Sequence, residues 1–296
     1  MRTKIMILGI TGMLGHTLLR VLSKDPHYVI YGTKRSSNDV LKLYESDNIE
    51  NIFSRVDAKN VQTLTNLIKD VSPHIVVNCI GIIKQLPSAK DPITAISINS
   101  LLPHQIAAIC KEVNARLIHI STDCVFDGAK GSYTEEDESD AKDLYGRTKF
   151  LGEVYYSHCV TLRTSIIGHE LKGQYGLVEW FLAQEGTVRG FTNAIYTGFP
   201  TVELARIISD YVIPNPELQG LYQVSSDPIT KYELLNLVAV SYGKKVEIDP
   251  YDDFYLDRSL DSTRFRKATG YQPPAWPELV KRMYEDYLKG PYLKQV

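Results

Sequence analysis

The sequence predicts an α/β protein: a doubly wound parallel sheet followed by a smaller C-terminal lobe. Three observations carry this. Short apolar runs alternate with amphipathic stretches through the first half of the 296 residues. The first run ends in a glycine-rich turn that opens a helix. The alternation weakens after about residue 168. Buried strands separated by helices are the pattern of a parallel sheet covered on both faces.

KIMIL (4–8) is the first strand, and GMLGHTLLRVLSK (12–24) the first helix, with Leu14, Leu18, Leu19 and Leu22 at helical spacing. YVIYGT (28–33), HIVVNCI (74–80), RLIHIST (116–122) and CVTLRTSII (159–167) read as further strands. VQTLTNLIKDV (61–71) reads as a helix, and so does DPITAISINSLLPHQIAAICKEV (91–113), where Pro103 places a kink. YGRTKFLGEVYYSH (145–158) is the last helix of this half. In the second half, helices are expected at 202–212, 232–242 and 277–289, and a strand at 220–225. Right-handed crossovers bring all parallel strand ends to one edge, where ligands bind. Gly9, Asn78, Thr122 and Arg163 fall at or near such ends.

Composition narrows the function. Hydrophobic residues make up 44% and charged residues 23%, a globular rather than disordered profile. The formal net charge is −2 and no basic run occurs, so nucleic acid is not an expected partner. The N-terminal apolar run is broken by Gly9, Thr11 and Gly12, and reads as a strand rather than a signal sequence. No apolar stretch looks long enough to span a bilayer. Cys79, Cys110, Cys124 and Cys159 are scattered, without metal-ligand spacing. Free thiols in a reducing cytoplasm are expected, and no bound metal.

GITGMLG places Gly9, Gly12 and Gly15 between a strand and a helix. Glycines there permit a tight turn and let a pyrophosphate approach the helix N-terminus. Thr11, Met13 and Leu14 belong to the same turn, which makes the sheet Rossmann-type. At the end of the next strand, Lys34, Arg35 and Ser36 stand where an acidic residue would bind ribose hydroxyls. Positive charge and a hydroxyl suit a 2′-phosphate, hence NADP(H) over NAD(H). Asp57 offers an acceptor to the adenine amino group, and Asn78, Cys79, Ile80 and Gly81 let the backbone run beside the cofactor. Thr122 opens STDCVFDG at a strand end, placed to polarise a carbonyl. Tyr145 and Lys149 are four apart on one helix face. Of the nineteen tyrosines, only Tyr145 has a lysine at that distance. Each motif alone also fits an ordinary turn or surface pair.

Their order is more specific: glycine turn, basic residues, NCIG, Asn99 in the long helix, Thr122, then Tyr145-x-x-x-Lys149. This resembles the extended short-chain dehydrogenase/reductase superfamily. STDCVFDG (121–128) is similar to the S-T-D-Y-V-F-D-G segment of dTDP-4-dehydrorhamnose reductases. LRTSIIG (162–168), TVELARII (201–208) and SLDSTRFRKATGYQPPAW (259–276) extend the likeness over essentially the whole chain.

The resemblance implies an NADPH-dependent reduction of the 4-keto group of a nucleotide-linked 4-keto-6-deoxy sugar, for polysaccharide precursors. Tyr145 is then the proton donor and Lys149 its tuning cation and ribose contact. Thr122 holds the substrate oxygen, and Asn99 links Lys149 to solvent or simply bonds backbone. An adjacent ammonium and the oxidised nicotinamide are expected to lower the Tyr145 pKa. Residues 1–168 form the NADP-binding domain, with 201–213 contributing, and 169–296 mainly the substrate lobe. Lys84, Asp123, Cys124, Trp180 and Arg258 are expected at the substrate, with Arg264 a second diphosphate candidate and Phe181 a second pocket aromatic. A homodimer is expected.

Two departures leave the sugar open. Cys124 replaces the usual Tyr, and IIKQLPSAKDP follows Gly81 in place of an alanine-rich segment. A UDP-linked 4-keto-6-deoxy-amino sugar is therefore an alternative to the dTDP-linked substrate. A sugar-nucleotide epimerase and a non-catalytic NADP-binding regulatory subunit, as in methionine adenosyltransferase, share the fold. A 4,6-dehydratase is disfavoured, because Cys124 stands where those enzymes carry Glu.

Overall fold

The computed structural model describes residues 2–37 and 48–292. The strands are β1 (Thr3–Leu8), β2 (Tyr28–Thr33), β3 (Ile49–Phe53), β4 (Ile75–Asn78), β5 (Arg116–Thr122), β6 (Cys159–Thr164), β7 (Ile166–Ile167), β8 (Thr187–Tyr196), β9 (Phe199–Pro200), β10 (Gly220–Gln223), β11 (Ile229–Thr230) and β12 (Glu247–Asp257). The α-helices are α1 (Met13–Leu22), α2 (Val61–Val71), α3 (Pro92–Ala95), α4 (Leu102–Glu112), α5 (Leu144–Leu151), α6 (Leu177–Leu182), α7 (Thr201–Ile207), α8 (Lys231–Tyr242), α9 (Thr263–Thr269) and α10 (Trp276–Lys289).

Seven strands form one parallel sheet in the order β10-β6-β5-β4-β1-β2-β3. The order reverses direction at β1 and β4, the switch point at which such sheets bind ligands. β1 shows why both faces are covered. Ile5 and Ile7 pack toward Leu18, Leu204 and Leu279, whereas Met6 and Leu8 pack toward Leu64, Ile68 and Ile106. Alternate side chains point to opposite faces, so a strand buried on both sides reads as an unbroken apolar run. A second sheet, β11-β8-β12, builds the lobe.

The structure departs from the sequence reading in four places. The strand at 220–223 is not part of the lobe; β10 pairs with β6 and forms an edge of the main sheet. β10 therefore brings part of residues 169–296 into the main sheet, while α7, within the 201–213 stretch expected to contribute, packs on α1. β3, β8 and β12 had no expectation. β12 carries Asp249, Pro250, Asp252 and Asp253, residues of low strand propensity, and is mostly exposed.

The helix expected over 145–158 stops at Leu151. A Cβ on Gly152 would stand 1.9 Å from the Asn99 carbonyl oxygen, so glycine is needed where the chain leaves α5. Glu153 then turns inward toward Arg163.

The long helix forms over 92–112, and Pro103 perturbs it by widening the turns over Ile96–Leu101 into a π-helix. Proline has no N–H to return to the Asn99 carbonyl, and π-turns absorb such interruptions. Contrary to the sequence reading, this helix has the length and apolarity of a membrane span, although 56% of its most apolar window is buried inside the protein. One such helix is equally a feature of a buried core, and α2 and α5 pack on it.

Candidate active site

Two glycines let α5 reach the sheet edge. A Cβ on Gly146 would lie 2.2 Å from the Cys124 carbonyl oxygen and 2.5 Å from the Ala141 Cβ. Its absence lets the helix sit directly on the turn after β5, and Gly152 does the same against the π segment. Asp143 caps α5 by accepting from the Gly146 N–H at 2.8 Å, and Lys84 pairs with the other Asp143 oxygen at 2.7 Å. Tyr145 thereby stands beside Thr122 and Cys124, and Lys149 beneath the end of β5.

The Lys149 ammonium donates to the Ile120 carbonyl at 2.8 Å and is almost fully buried. Burial lowers its pKa to about 8, with Glu153 opposing. Burial also raises the Tyr145 phenol above its ordinary value, Cys124 and Asp123 adding to the rise and a hydrogen bond with Thr122 countering it. This is opposite to the direction expected for the protein with its cofactor: here burial is the largest cause, and the neighbouring acidic groups act with it. Tyr145 is therefore protonated at neutral pH, as a proton donor must be. Thr122 donates to Asp123 at 3.2 Å and accepts from the Cys124 N–H at 3.2 Å. Burial raises the Asp123 carboxyl, against Arg258, and pushes the Cys124 thiol up to about 12.

One cavity of about 1030 Å³ runs from the glycine turn to the lobe. It is lined by Thr11, Gly12, Met13 and Leu14, by Arg35 and Ser36, by Asn78, Cys79, Ile80 and Gly81, and by Thr122, Tyr145 and Lys149. Lys84, Asp123, Cys124, Trp180 and Arg258 line its substrate end. Gly12 precedes α1 without a side-chain cap, so the first-turn N–H groups remain available to an anion. Gly9 has φ +83°, and a Cβ on Gly15 would meet the Gly9 carbonyl oxygen at 2.2 Å. These two glycines shape the cradle from behind rather than lining it. The turn, the uncapped helix and the Arg35–Ser36 rim fit a dinucleotide with a 2′-phosphate.

Other expected residues are placed elsewhere. Lys34 is buried outside the cavity wall, its backbone bonded to Phe53 and Val56. Asp57 is exposed and caps a turn, accepting from the Lys59 N–H at 3.0 Å. Asn99 sits behind the wall and bonds the backbone of Ile82. Arg163 does fall near the end of β6, level with Ser121, but its side chain does not line the cavity: it makes a buried bidentate pair with Glu153, both bonds 2.7 Å. Arg264 pairs with Glu135 and Glu136 on another surface. Phe181 is fully buried in the core. Adjacent helix positions face apart, so Trp180 reaches the cavity and Phe181 cannot.

Lys231, Tyr196, Glu170, Lys172 and Tyr175 also line the cavity. No local motif marks them: Glu170, Lys172 and Tyr175 come from the loop before α6, Tyr196 ends β8, and Lys231 follows β11.

This is the arrangement of an extended short-chain dehydrogenase/reductase. Solved structures agree on the fold: dTDP-4-dehydrorhamnose reductase from Bacillus anthracis in complex with NADP superposes with a TM-score of 0.80 at 22% identity, covering 97% of this chain and 100% of that one. The chain belongs to the RmlD substrate binding domain family, which it matches over residues 3–289. Among curated relatives, "Probable low-salt glycan biosynthesis reductase Agl14" of Haloferax volcanii is 30% identical over 148 residues, half of this chain and 46% of that protein. Methionine adenosyltransferase 2 subunit beta of Rattus norvegicus is 25% identical over 262 residues, 81% of this chain and 72% of that protein.

Proposed function

We propose that this protein reduces the 4-keto group of a nucleotide-linked 4-keto-6-deoxy sugar with NADPH, in making a polysaccharide precursor. The observation that carries the reading is the convergence of Thr122, Tyr145 and Lys149 on the cavity that also contains the uncapped α1 N-terminus. Bound NADPH supplies the hydride that reaches the carbonyl carbon. Tyr145 gives its phenolic proton to the carbonyl oxygen, which becomes the product hydroxyl. Thr122 orients that oxygen, and Lys149 stabilises the phenolate left behind. Asn99 acts by positioning the segment after β4. Arg35 and Ser36 select the 2′-phosphate. Lys84, Asp123, Cys124, Trp180 and Arg258 surround the substrate.

The nucleotide is dTDP or UDP. The test is loss of NADPH absorbance with a panel of dTDP- and UDP-linked 4-keto-6-deoxy sugars, amino sugars included, with Tyr145→Phe as the blank. Turnover of one member, lost in the variant, is expected. Tight NADPH binding without turnover on any member would favour the second reading, a cofactor-binding subunit, to which the methionine adenosyltransferase relative points.

Ile93, Ile96, Leu101 and Leu151 expose apolar side chains on neighbouring helical segments, a surface that suits a homodimer. A monomeric mass in solution would refute that pairing. Free Cys79, Cys110, Cys124 and Cys159 suit a reducing cytoplasm.

A further inference from the structure

Residues 168–176, between β7 and α6, lie outside any helix or strand. Glu170, Lys172, Tyr175 and Trp180 nevertheless all line the cavity, so this stretch forms one of its walls. The wall meets both halves. A Cβ on Gly176 would stand 2.8 Å from the Met13 Cε, so the chain packs directly against the first residue of α1, beside the glycine cradle. Trp180, on α6, belongs to the substrate end. Residues 172–174 are exposed, and Gly173 turns the chain with φ +98°, a conformation that favours glycine.

A loop without a ladder of its own is placed by its anchors. His169, which the chemistry above does not use, is one of them. It is 2% exposed. Its Nδ1 donates to the Glu179 carboxylate at 2.5 Å, and its Nε2 meets the Tyr242 hydroxyl of α8 at 2.8 Å. Its carbonyl accepts from the His16 Nε2 of α1 at 3.1 Å. The rings of Tyr287 and Tyr292 lie 4.4 and 5.0 Å from the imidazole. The residue just before the wall is thus tied to α1, α6 and α8. Glu179 immediately precedes Trp180, so its bond to His169 joins the two ends of the wall. Within the loop, Glu170 accepts from the Tyr175 N–H at 2.9 Å. Removing either partner of a buried, hydrogen-bonded pair leaves the other unsatisfied, so loss of one partner frees both ends.

We propose that His169 is a positioning residue: with Glu179 it clamps the ends of residues 170–178, which lie as a strap across the cavity where cofactor and substrate meet. The inference rests on the reductase reading above. The exposed middle of the strap gives way to admit ligands, and the anchored ends return Glu170 and Trp180 to the same places. Closed over bound NADPH, the strap sets Trp180 against the sugar. Thr122, Tyr145 and Lys149 stand on other elements. Loss of the clamp therefore weakens sugar binding and leaves the chemical step largely intact.

The experiment is limited trypsin digestion of the full-length protein with and without NADPH, following cleavage after Lys172 in the middle of the strap. NADPH should slow that cleavage in the parent protein. Glu179→Ala should speed it about tenfold, the effect of one hydrogen bond on a local opening, and should remove the protection by NADPH, while cleavage elsewhere stays unchanged. His169→Phe keeps the ring without its bonds and should behave alike. His169→Asn, whose amide still donates to Glu179, should recover most of the resistance. Where His169→Phe loosens the whole chain, Glu179→Ala carries the test, because that side chain is partly exposed. With a keto sugar that the parent turns over, Glu179→Ala should raise KM about tenfold and hold kcat within about threefold. Equal cleavage after Lys172 in parent and Glu179→Ala, no protection by NADPH, or a fall in kcat at unchanged KM would overturn the clamp. Protection that depends on Glu179, with no turnover of any keto sugar, would instead sink the reductase reading and leave the clamp standing.

Discussion

The Asn99 side chain holds both backbone groups of Ile82, its Oδ1 accepting from the N–H at 2.9 Å and its Nδ2 donating to the carbonyl at 3.2 Å. It thereby fixes the segment after β4 that forms one wall of the cavity beside Lys149. Asn99→Ala leaves two backbone groups without partners, at about 1–3 kcal/mol of stability. Denaturant unfolding should show that loss, together with weaker NADPH binding. A shifted pH profile of kcat with unchanged stability would instead make Asn99 a proton-relay residue.

Tyr145→Phe removes the acid without opening the cradle at α1. General acid catalysis contributes about 10²–10⁴-fold, so kcat should fall by that order while the Kd for NADPH stays close to the parent. Fluorescence titration beside steady-state kinetics decides this, and near-normal turnover would end the assignment.

Lys149 gives the pH dependence. Its folded pKa is lowered to about 8 from 10.5, so the ammonium loses its proton as pH rises through about 8. Reduction should decline over that range. The stability contribution runs the other way: between about 8 and 10.5 the unfolded chain holds the extra proton, so this group favours folding increasingly as pH rises. Lys149→Met should abolish both trends, measurable by rate–pH and unfolding–pH profiles.

Arg35 stands exposed at the rim of the cofactor half of the cavity. Arg35→Ala should weaken NADPH binding about tenfold to a hundredfold and NADH binding far less, since only NADPH presents a 2′-phosphate to a guanidinium. Equal losses for both cofactors would refute the selectivity argument.

Glu153 accepts from Arg163 twice, from Ser121 at 2.7 Å and from Tyr155 at 2.6 Å, and the pair with Arg163 is sealed from solvent. Glu153→Gln strands a buried guanidinium and should cost about 3–5 kcal/mol in denaturant unfolding. Neither Glu153 nor Arg163 lines the cavity, so residual folded protein should still bind NADPH, with the Lys149 pKa lowered further once the Glu153 charge is gone.

The sequence by itself determined the parallel sheet, the glycine cradle and the Thr122–Tyr145–Lys149 set. Each is local: an apolar run, a strand–turn–helix signal, a four-residue helical spacing, and an order along the chain that resembles one superfamily. The same local reasoning put Arg163 at its strand end but not its partner, because a strand end says nothing about Glu153 waiting beside it. It extended α5 past Gly152, since the clash with the Asn99 carbonyl is 53 positions away in sequence. It passed over Lys231, which reaches the cavity only because β11 pairs with β8 in the lobe sheet. It also expected a lowered Tyr145 pKa, where burial raises it. Tertiary structure decided these points, because burial, close approach and charge balance are sums over neighbours that only the folded chain brings together.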